Sequence, residues 1–394
     1  MKVLIVGAGI AGPTTAFWLN KAGHDVTLAE RAPQLRSGGY LIDFWGAGFE
    51  VAERMGIVPE LRKRGYNYTE ARVVNRNGRK IASIDPAAIV TSTKQYLSIA
   101  RSDLSAVIYE ALGGEVELIL DDTVQELTDD GDHVRVKFRS GPTRDFDLVI
   151  GADGLHSRVR RLAFGPDEQY EEYLGMVVAA FEAKGYPHRD ELLAFMYAEV
   201  GFQALRLTLR DDTTLLLFSL LNDGPVPTDR PAQEKLVREK LAHRGWEVPE
   251  MLELMPQSKD FYFDSVSQIR MPSWTKGRVA LVGDAAACPS FLAGQGSALA
   301  MVEGYTLATE IASNRDHSEA FARYQALLTP LLHSKQDAAK GLGLAFAPKN
   351  RFQLFVRNSV MRVMGLPKVA DIVMGRSFHD AVELPSFPET APTR

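Results

Sequence analysis

The chain has 394 residues, 45% hydrophobic and 24% charged, with a formal net charge of −5; that size predicts two globular domains, and that charge leaves no electrostatic footprint for nucleic acid. No apolar stretch approaches the roughly eighteen residues of a membrane span. A single cysteine, Cys288, excludes an intrachain disulfide and a multi-cysteine metal site, so no metal is expected and the compartment is expected to be the reducing cytoplasm.

Lys2-Val3-Leu4-Ile5-Val6 is a short apolar run of the kind a central parallel strand shows, and it leads into Gly7-Ala8-Gly9-Ile10-Ala11-Gly12. In this G-x-G-x-x-G turn, Gly7 permits the tight bend, Gly9 lets backbone approach a pyrophosphate, and Gly12, after Ala11, lets the next helix pack closely on the strand. Pro13 suits the first turn of that helix and Gly23 its end. Asp25 to Ala29 is a second strand, and Glu30 stands where an acid meets ribose hydroxyls. Strand, glycines, helix, strand and acid in that order mark a dinucleotide site. Lys2 followed by an apolar run to Leu19 also resembles a secretory signal, but three glycines, a proline and the lack of a small-residue cleavage site argue against one.

After Glu30-Arg31, the loop Arg36-Ser37-Gly38-Gly39 either brings backbone close to a planar ring or merely turns the chain. Gly48 to Met55 is a short helical pattern. Asn75-Arg76-Asn77-Gly78, between Val73-Val74 and Ile81-Ala82, predicts an antiparallel hairpin and hence an excursion into a second domain. A helix opens at Arg101-Ser102-Asp103 with Ser102 as its N-cap, and Arg101 ahead of it can meet a phosphate or form a surface ion pair. Asp147 to Ile150 is a buried strand that ends in a second glycine turn, Gly151-Ala152-Asp153-Gly154.

Residues 166 to 270 lack such turns and read as a mostly antiparallel sheet. Phe202, Ala204, Arg206 and Thr208 alternate with Gln203, Leu205, Leu207 and Leu209, so Arg206 lines a cavity or faces water, the commoner fate of an arginine. Arg206 and Phe218 are the candidate substrate residues. The strand-and-acid pattern returns at Arg278 to Ala286 with Gly283-Asp284, followed by Pro289, Gly294-Gln295-Gly296 and a helix to Ser313. A helix start offers free N–H groups and a positive dipole end to an anionic ligand atom. Asp284, ending a strand, is expected to matter far more for ligand retention than Glu303 inside the helix. The turns at 7, 151 and 283 are predicted to converge at the carboxyl edge of one parallel sheet, where such sheets bind ligands. Near the C-terminus, Phe352, Phe355, Val356, Val360 and Val363 recur at helical spacing, with Arg351, Arg357 and Arg362 off that face. This predicts a helix packed by its apolar side across the protein rather than on a membrane. From Pro385 onward the chain reads as a frayed tail.

Together these motifs resemble the single-component, FAD-dependent aromatic hydroxylases of the para-hydroxybenzoate hydroxylase fold, whose fingerprints match Gly7 to Gly12, Asp153-Gly154 and Gly283-Asp284. In length, in the Arg36-to-Asp43 loop and in the C-terminal helix the chain is similar to tetracycline-inactivating and aromatic-polyketide hydroxylases. The resemblance implies an α/β fold: a Rossmann-like FAD-binding domain (1–70, 99–165 and 271–345) and a mostly antiparallel β-sheet substrate domain (71–98 and 166–270). A C-terminal helical segment (346–384) and a tail (385–394) follow.

The resemblance also implies that Glu30 binds the adenosine ribose, Arg101 the pyrophosphate region, Asp284 the ribityl chain, and Gly294, Gln295 and Gly296 the flavin edge. Asp153-Gly154 would serve FAD and NAD(P)H together. Arg31, Asp43 and Pro289 complete the cofactor set, with Arg36 a candidate contact to the NADPH phosphate. The implied reaction uses NADPH or NADH and O2 to hydroxylate an aromatic, phenolic or polyketide-like small molecule through a flavin C4a-hydroperoxide. The cofactor carries that chemistry, so no catalytic side chain is expected. A monomer or weak homodimer is expected. The alternatives are a reductase or epoxidase of the same fold and a flavoprotein that sequesters a drug or pigment without turnover. Many relatives carry a histidine after Gly-Asp-Ala-Ala, where this chain has Ala287-Cys288, and Cys288 is expected to be an inert buried thiol.

Overall fold

The computed structural model describes residues 1–35, 40–86, 95–364 and 382–388, so the expectations for Arg36 to Gly39 lie outside the described residues. Six strands form one sheet in the spatial order Thr275–Lys276, Val279–Leu281, Leu148–Gly151, Lys2–Val6, Asp25–Ala29, Glu117–Ile119. Every pair except the first is parallel. Val3, Leu4 and Ile5 are fully buried, as a run apolar on both faces requires when both are covered. The helix Ala11–Lys21, which follows the first turn, packs against the helix Gly296–Ser313.

Seven strands form a second sheet in the order Tyr262–Ile269, Glu171–Lys184, Thr213–Leu221, Phe202–Thr208, Leu193–Glu199, Glu70–Val74, Lys80–Ile84. The last two are the hairpin predicted around Asn75 to Gly78, and Gly78 holds the positive φ, +73°, that this turn demands. The hairpin joins the sheet through Leu193–Glu199, the excursion that its position in the sequence implied.

The period of two along a strand sorts this sheet's side chains into two layers. On the outer face Val177, Phe181, Phe195, Phe202, Ala204 and Phe218 pack with Val237, Leu241 and Met251 of the helices Arg230–Leu241 and Val248–Leu254. On the inner face Met176, Val178, Ala180, Leu215 and Leu217 pack with Leu292, Ala339 and Ala347, with Tyr40, Tyr262, Phe291 and Phe346 around them. Leu292 and Phe291 belong to the loop that follows Gly283-Asp284, so the inner face is the one turned toward the glycine turns.

Three local expectations fail. The helix after residue 100 is Arg101–Glu110, with Ala100 at its N-cap and no side-chain cap bond, so Ser102 lies inside it. The helix Arg351–Met364 turns its phenylalanines outward: Phe352 and Phe355 are 74% and 65% exposed, whereas Arg357 is 4% exposed. Hydrogen bonds that Arg357 donates to the Ala345 carbonyl and to Gln203 Oε1 dock this helix, and apolar periodicity cannot register them. The proline-rich segment from 385 is not frayed through residue 388. The Pro385 carbonyl accepts from Arg54 Nη1 at 2.7 Å and from the Tyr305 hydroxyl at 2.6 Å, and the rings of Phe387 and Trp18 lie 4.8 Å apart. Among the described residues no helix is long and apolar enough to cross a membrane.

Candidate cofactor and substrate site

The strands Lys2–Val6, Leu148–Gly151 and Val279–Leu281 lie side by side and end at one edge, which brings their three turns into contact. Gly7 sits at φ +109°, and a Cβ there would collide with the Ala152 carbonyl of the second turn. A Cβ on Gly12 would collide with the Gly7 carbonyl, so the first turn closes only around glycine. A Cβ on Gly283 would lie 3.0 Å from the Ala11 Cβ, which joins the third turn to the first.

Glu30 ends the strand Asp25–Ala29 and accepts from the backbone N–H groups of Ala8 and Ala32, each at 2.9 Å. Each carboxylate oxygen has capacity for a further donor. Arg31 beside it is exposed. Arg101, the first residue of its helix, carries its Nη2 to within 3.8 Å of a Cβ position on Gly9, over the first turn. Ser105, one turn on, donates to the Gly9 carbonyl at 2.9 Å.

Asp284 is half-buried; its desolvation pushes its carboxyl pKa up, while the charge of Arg101 pulls it down. Its Oδ1 lies 3.7 Å from a Cβ position on Gly296, so it faces the start of the helix Gly296–Ser313. Gly294 adopts φ +65°, and Gln295, at the N-cap, holds a buried Nε2 with no hydrogen-bond partner among the described residues. The Pro289 carbonyl accepts from Gln268 Nε2 at 3.0 Å, fixing the loop between Asp284 and Gly294.

Other sequence candidates stand differently. Asp153 belongs to the second turn, but its carboxylate is engaged by the Ser157 hydroxyl and by the backbone N–H groups of Arg158 at 2.7 Å and Val159 at 3.1 Å. It thereby takes up the first two backbone N–H groups of the helix Arg158–Ala163, whose N-cap is Ser157. A Cβ on Gly154 would meet open space. Asp43 lies on the strand Leu41–Trp45 and accepts from Tyr96 and Ser98 hydroxyls at 2.7 and 2.6 Å, so those neighbours account for it. Cys288 is buried, and that burial pushes its thiol well above the ordinary value, as an inert thiol requires.

Both substrate candidates fall on the outer face of the second sheet. Phe218 packs on Phe181 there, ring centroids 6.1 Å apart. Arg206 does not face water: it is 3% exposed, with Nη2 2.9 Å from Asp190, Nε 3.4 Å from Glu247, and its guanidinium 4.1 Å above the Phe195 ring. Two carboxylates and a ring offset the loss of hydration. It does line a cavity of about 640 Å³, with Arg72, His188, Trp246 and Glu247, but on the face turned away from the glycine turns.

Glu303 was the residue that sequence reasoning set aside. It is buried in the helix Gly296–Ser313 and accepts from the Gly283 backbone N–H at 2.7 Å and from the Tyr324 hydroxyl at 3.4 Å. Burial pushes its pKa up to about 8. Its signal was available: an acid within Ala298 to Tyr305, an otherwise uncharged helical stretch, must be hydrogen-bonded or neutral. Aromatic residues of the inner face were also missed; Tyr40 packs on Tyr262 and on Phe291 with ring centroids 5.7 Å apart in each case.

Open backbone turns, an acid at the second strand, a guanidinium over Gly9 and an unpaired amide donor at Gln295 fit a dinucleotide that carries a flat, polar-edged ring. The FAD binding domain family matches residues 1–325. A flavin-dependent monooxygenase from an unknown prokaryotic organism is 34% identical over 393 residues, covering 98% of this chain and 99% of the relative. A flavin-dependent monooxygenase of Legionella longbeachae serogroup 1 (strain NSW150) is 32% identical over 361 residues, covering 89% and 90%.

Among solved structures, tetracycline destructase Tet(55) matches with a TM-score of 0.84 at 32% identity over 98% of each chain. Klebsiella pneumoniae HpxO, complexed with FAD and uric acid, matches with a TM-score of 0.78 over 92% of each chain, and at 20% identity that shows the fold alone. The chain belongs to the FAD binding domain family and is a flavin-dependent monooxygenase of the para-hydroxybenzoate hydroxylase fold.

Proposed function

We propose that this enzyme takes electrons from NADPH or NADH and one oxygen atom from O2 to hydroxylate a planar polycyclic substrate of the aromatic-polyketide or tetracycline kind. The observation that carries this reading is the inner face of the second sheet. There Tyr40, Leu205, Leu207, Tyr262 and Phe291 stay partly exposed around a packed core of Met176, Leu215 and Leu217, beside the loop that follows Gly283-Asp284. Such a surface suits a flat apolar molecule and excludes water from the reacting atoms. The 32% identity to a tetracycline destructase over nearly the whole chain supports the same substrate class.

FAD bound at the turns would supply electron transfer and oxygen activation. Glu30 would hold its ribose, Arg101 its pyrophosphate, Asp284 its ribityl chain, and Gln295 with the first N–H groups of the helix Gly296–Ser313 the polar edge of its ring. The positive end of that helix would stabilise negative charge there. Gly283 and Asp284 would owe their placement to Glu303. The sequence holds one complete G-x-G-x-x-G unit with a trailing acid, so the nicotinamide cofactor would bind transiently in an open groove, with Arg36 its sequence-based candidate contact.

The test is NADPH oxidation and oxygen uptake by the purified, FAD-loaded protein against a panel of phenols, anthraquinones and tetracyclines, with isotopically labelled dioxygen. Substrate-dependent NADPH consumption with one labelled oxygen in the product is expected. Stoichiometric binding of a panel member without NADPH consumption would instead favour sequestration.

A further inference from the structure

Arg357 is buried on the helix Arg351–Met364, and the acceptors around its guanidinium are neutral. Nε donates to the Ala345 carbonyl at 2.8 Å, Nη1 to Asn358 Oδ1 at 3.0 Å, and Nη2 to Gln203 Oε1. A guanidinium has five N–H groups, so each terminal nitrogen keeps one hydrogen beyond these bonds. Among the described residues no carboxylate pairs with it, and burial alone pulls its pKa down, to about 10. A buried cation without a counter-charge is costly, and an arginine cannot escape the cost by losing its proton.

The sheet register shows where this charge stands. Gln203 is directly opposite Ser219, Ser219 opposite Val178, and Val178 opposite Asp264. Directly opposed residues share a face, so these four form a row across the inner face that carries Met176, Leu215 and Leu217. The Asp264 end adjoins the cofactor edge: His156, in the loop after Gly154, lies 2.9 Å from Asp264 Oδ1, and Tyr262, two residues before Asp264, packs on Tyr40. The Gln203 end, with Arg357, lies three strand spacings away, roughly 14 Å. Between them the Ser219 hydroxyl donates to the Phe346 carbonyl at 3.2 Å.

We propose that Arg357, oriented by Gln203, binds an anionic oxygen of the substrate, a carboxylate, phenolate or enolate at the end of an elongated ring system remote from the flavin. The proposal rests on the polycyclic-substrate reading above and adds the charge and its position. The two remaining N–H groups, one on each terminal nitrogen, match the two oxygens of a carboxylate or of a β-diketone enolate. A single small phenol seated at the Asp264 end would not reach them.

The test uses the FAD-loaded enzyme with two probes, anthraquinone-2-carboxylate and its neutral carboxamide, in equilibrium dialysis and in stimulated NADPH oxidation. Wild type is expected to bind the carboxylate about tenfold tighter or more, as a charge-assisted hydrogen bond implies. Arg357→Met should erase that preference while carboxamide binding persists, and Arg357→Lys should keep part of it. FAD content and melting temperature report folding; if Arg357→Met fails to fold, the preference of wild type and its reduction in Arg357→Lys still decide. Equal binding of the two probes by wild type, or a preference that survives intact in the variants, would overturn the role of Arg357 and leave the hydroxylase reading standing. Failure of both probes to bind wild type would overturn the polycyclic reading and this proposal with it.

Discussion

Two buried arginines stand against opposite faces of one sheet, and they are solved differently. Arg206, on the outer face, has Asp190 and Glu247 within ion-pair distance and Phe195 beneath it. Arg357 reaches the same strand through Gln203 on the inner face and meets only carbonyl and amide oxygens among the described residues. Arg206 is compensated in charge, although its buried Nη1 has no hydrogen-bond partner among the described residues, whereas Arg357 has an acceptor for each guanidinium nitrogen and no counter-charge. On the proposal above, that contrast gives structure to the outer face and recognition to the inner one.

The largest expected effect tests the scaffold side. Arg206→Met leaves Glu247 and Asp190 without their partner, a change that typically costs about 3–5 kcal/mol for a buried pair. Asp190 is 45% exposed, so the low end of that range applies. Urea unfolding should show the loss with FAD content per folded chain unchanged. Arg357→Met removes no counter-ion and should cost less, about 1–3 kcal/mol for the acceptors it leaves unpaired. Equal losses, or a larger loss for Arg357→Met, would break the comparison.

The same contrast shows what the sequence could and could not disclose. The three turns were legible because only glycine closes them, as the collisions at Gly7 and Gly12 show, and Glu30 followed from its place at the end of the second strand. Alternation along Phe202 to Thr208 separated two faces correctly, but nothing in it says which face meets the cofactor; that depends on the loop carrying Phe291 and Leu292, far along the chain. In the helix Arg351–Met364 the apolar stripe pointed outward because two hydrogen bonds from one arginine, to the Ala345 carbonyl and to Gln203, tie the opposite side of the helix to the protein. Glu303 escaped notice because its partner, the Gly283 backbone N–H, has no side chain to betray the pairing.

Glu303 sharpens the comparison further, since it too is buried without a counter-charge but can shed its charge by taking a proton. Asp284→Ala removes a charged acceptor at the cofactor edge, worth about 1.5–3 kcal/mol, and should lower FAD affinity at least tenfold. Glu303→Ala strands the buried Gly283 N–H, a cost of about 1–3 kcal/mol, and should also weaken FAD binding. Glu303→Gln, which still accepts that bond, should retain it. Fluorescence titration of apoprotein with FAD checks the order; wild-type affinity in Glu303→Ala would return Glu303 to a purely apolar-helix role.

A pH effect follows from the same residue. Its folded pKa, raised by burial to about 8 from an ordinary 4.5, means that the folded protein holds a proton that the unfolded chain has released over that interval. Stability should therefore fall as pH rises from about 4.5 toward 8 and level off above that, by linkage. Melting temperatures at pH 6 and pH 8.5 should differ more in wild type than in Glu303→Gln. An identical drop in both would show that Glu303 does not titrate in this range.

The smallest expected effect belongs to His156, whose Nε2 lies 2.9 Å from Asp264 Oδ1 and joins the loop after Gly154 to the end of the inner-face row. Its pKa is raised above 6.5, first by that hydrogen bond and against the opposing effect of burial. For a histidine with a raised folded pKa, the stabilisation is fully present below 6.5 and is lost as pH rises through the folded value. The imidazole is 50% exposed, so solvent screening holds the contribution to at most about 1 kcal/mol. Asp264→Asn should move the His156 titration midpoint down toward 6.5, read from the ring proton shifts in an NMR titration. The stability difference between pH 5.5 and pH 8 should shrink with it. An unmoved midpoint would mean that the pair does not form in solution, and the inner-face row would then end in a carboxylate held only by the Ser265 backbone N–H and the Tyr262 hydroxyl, without a cationic partner, an arrangement hostile to an anionic substrate at that end. Anion recognition would still fall to Arg357, at the far end of the row.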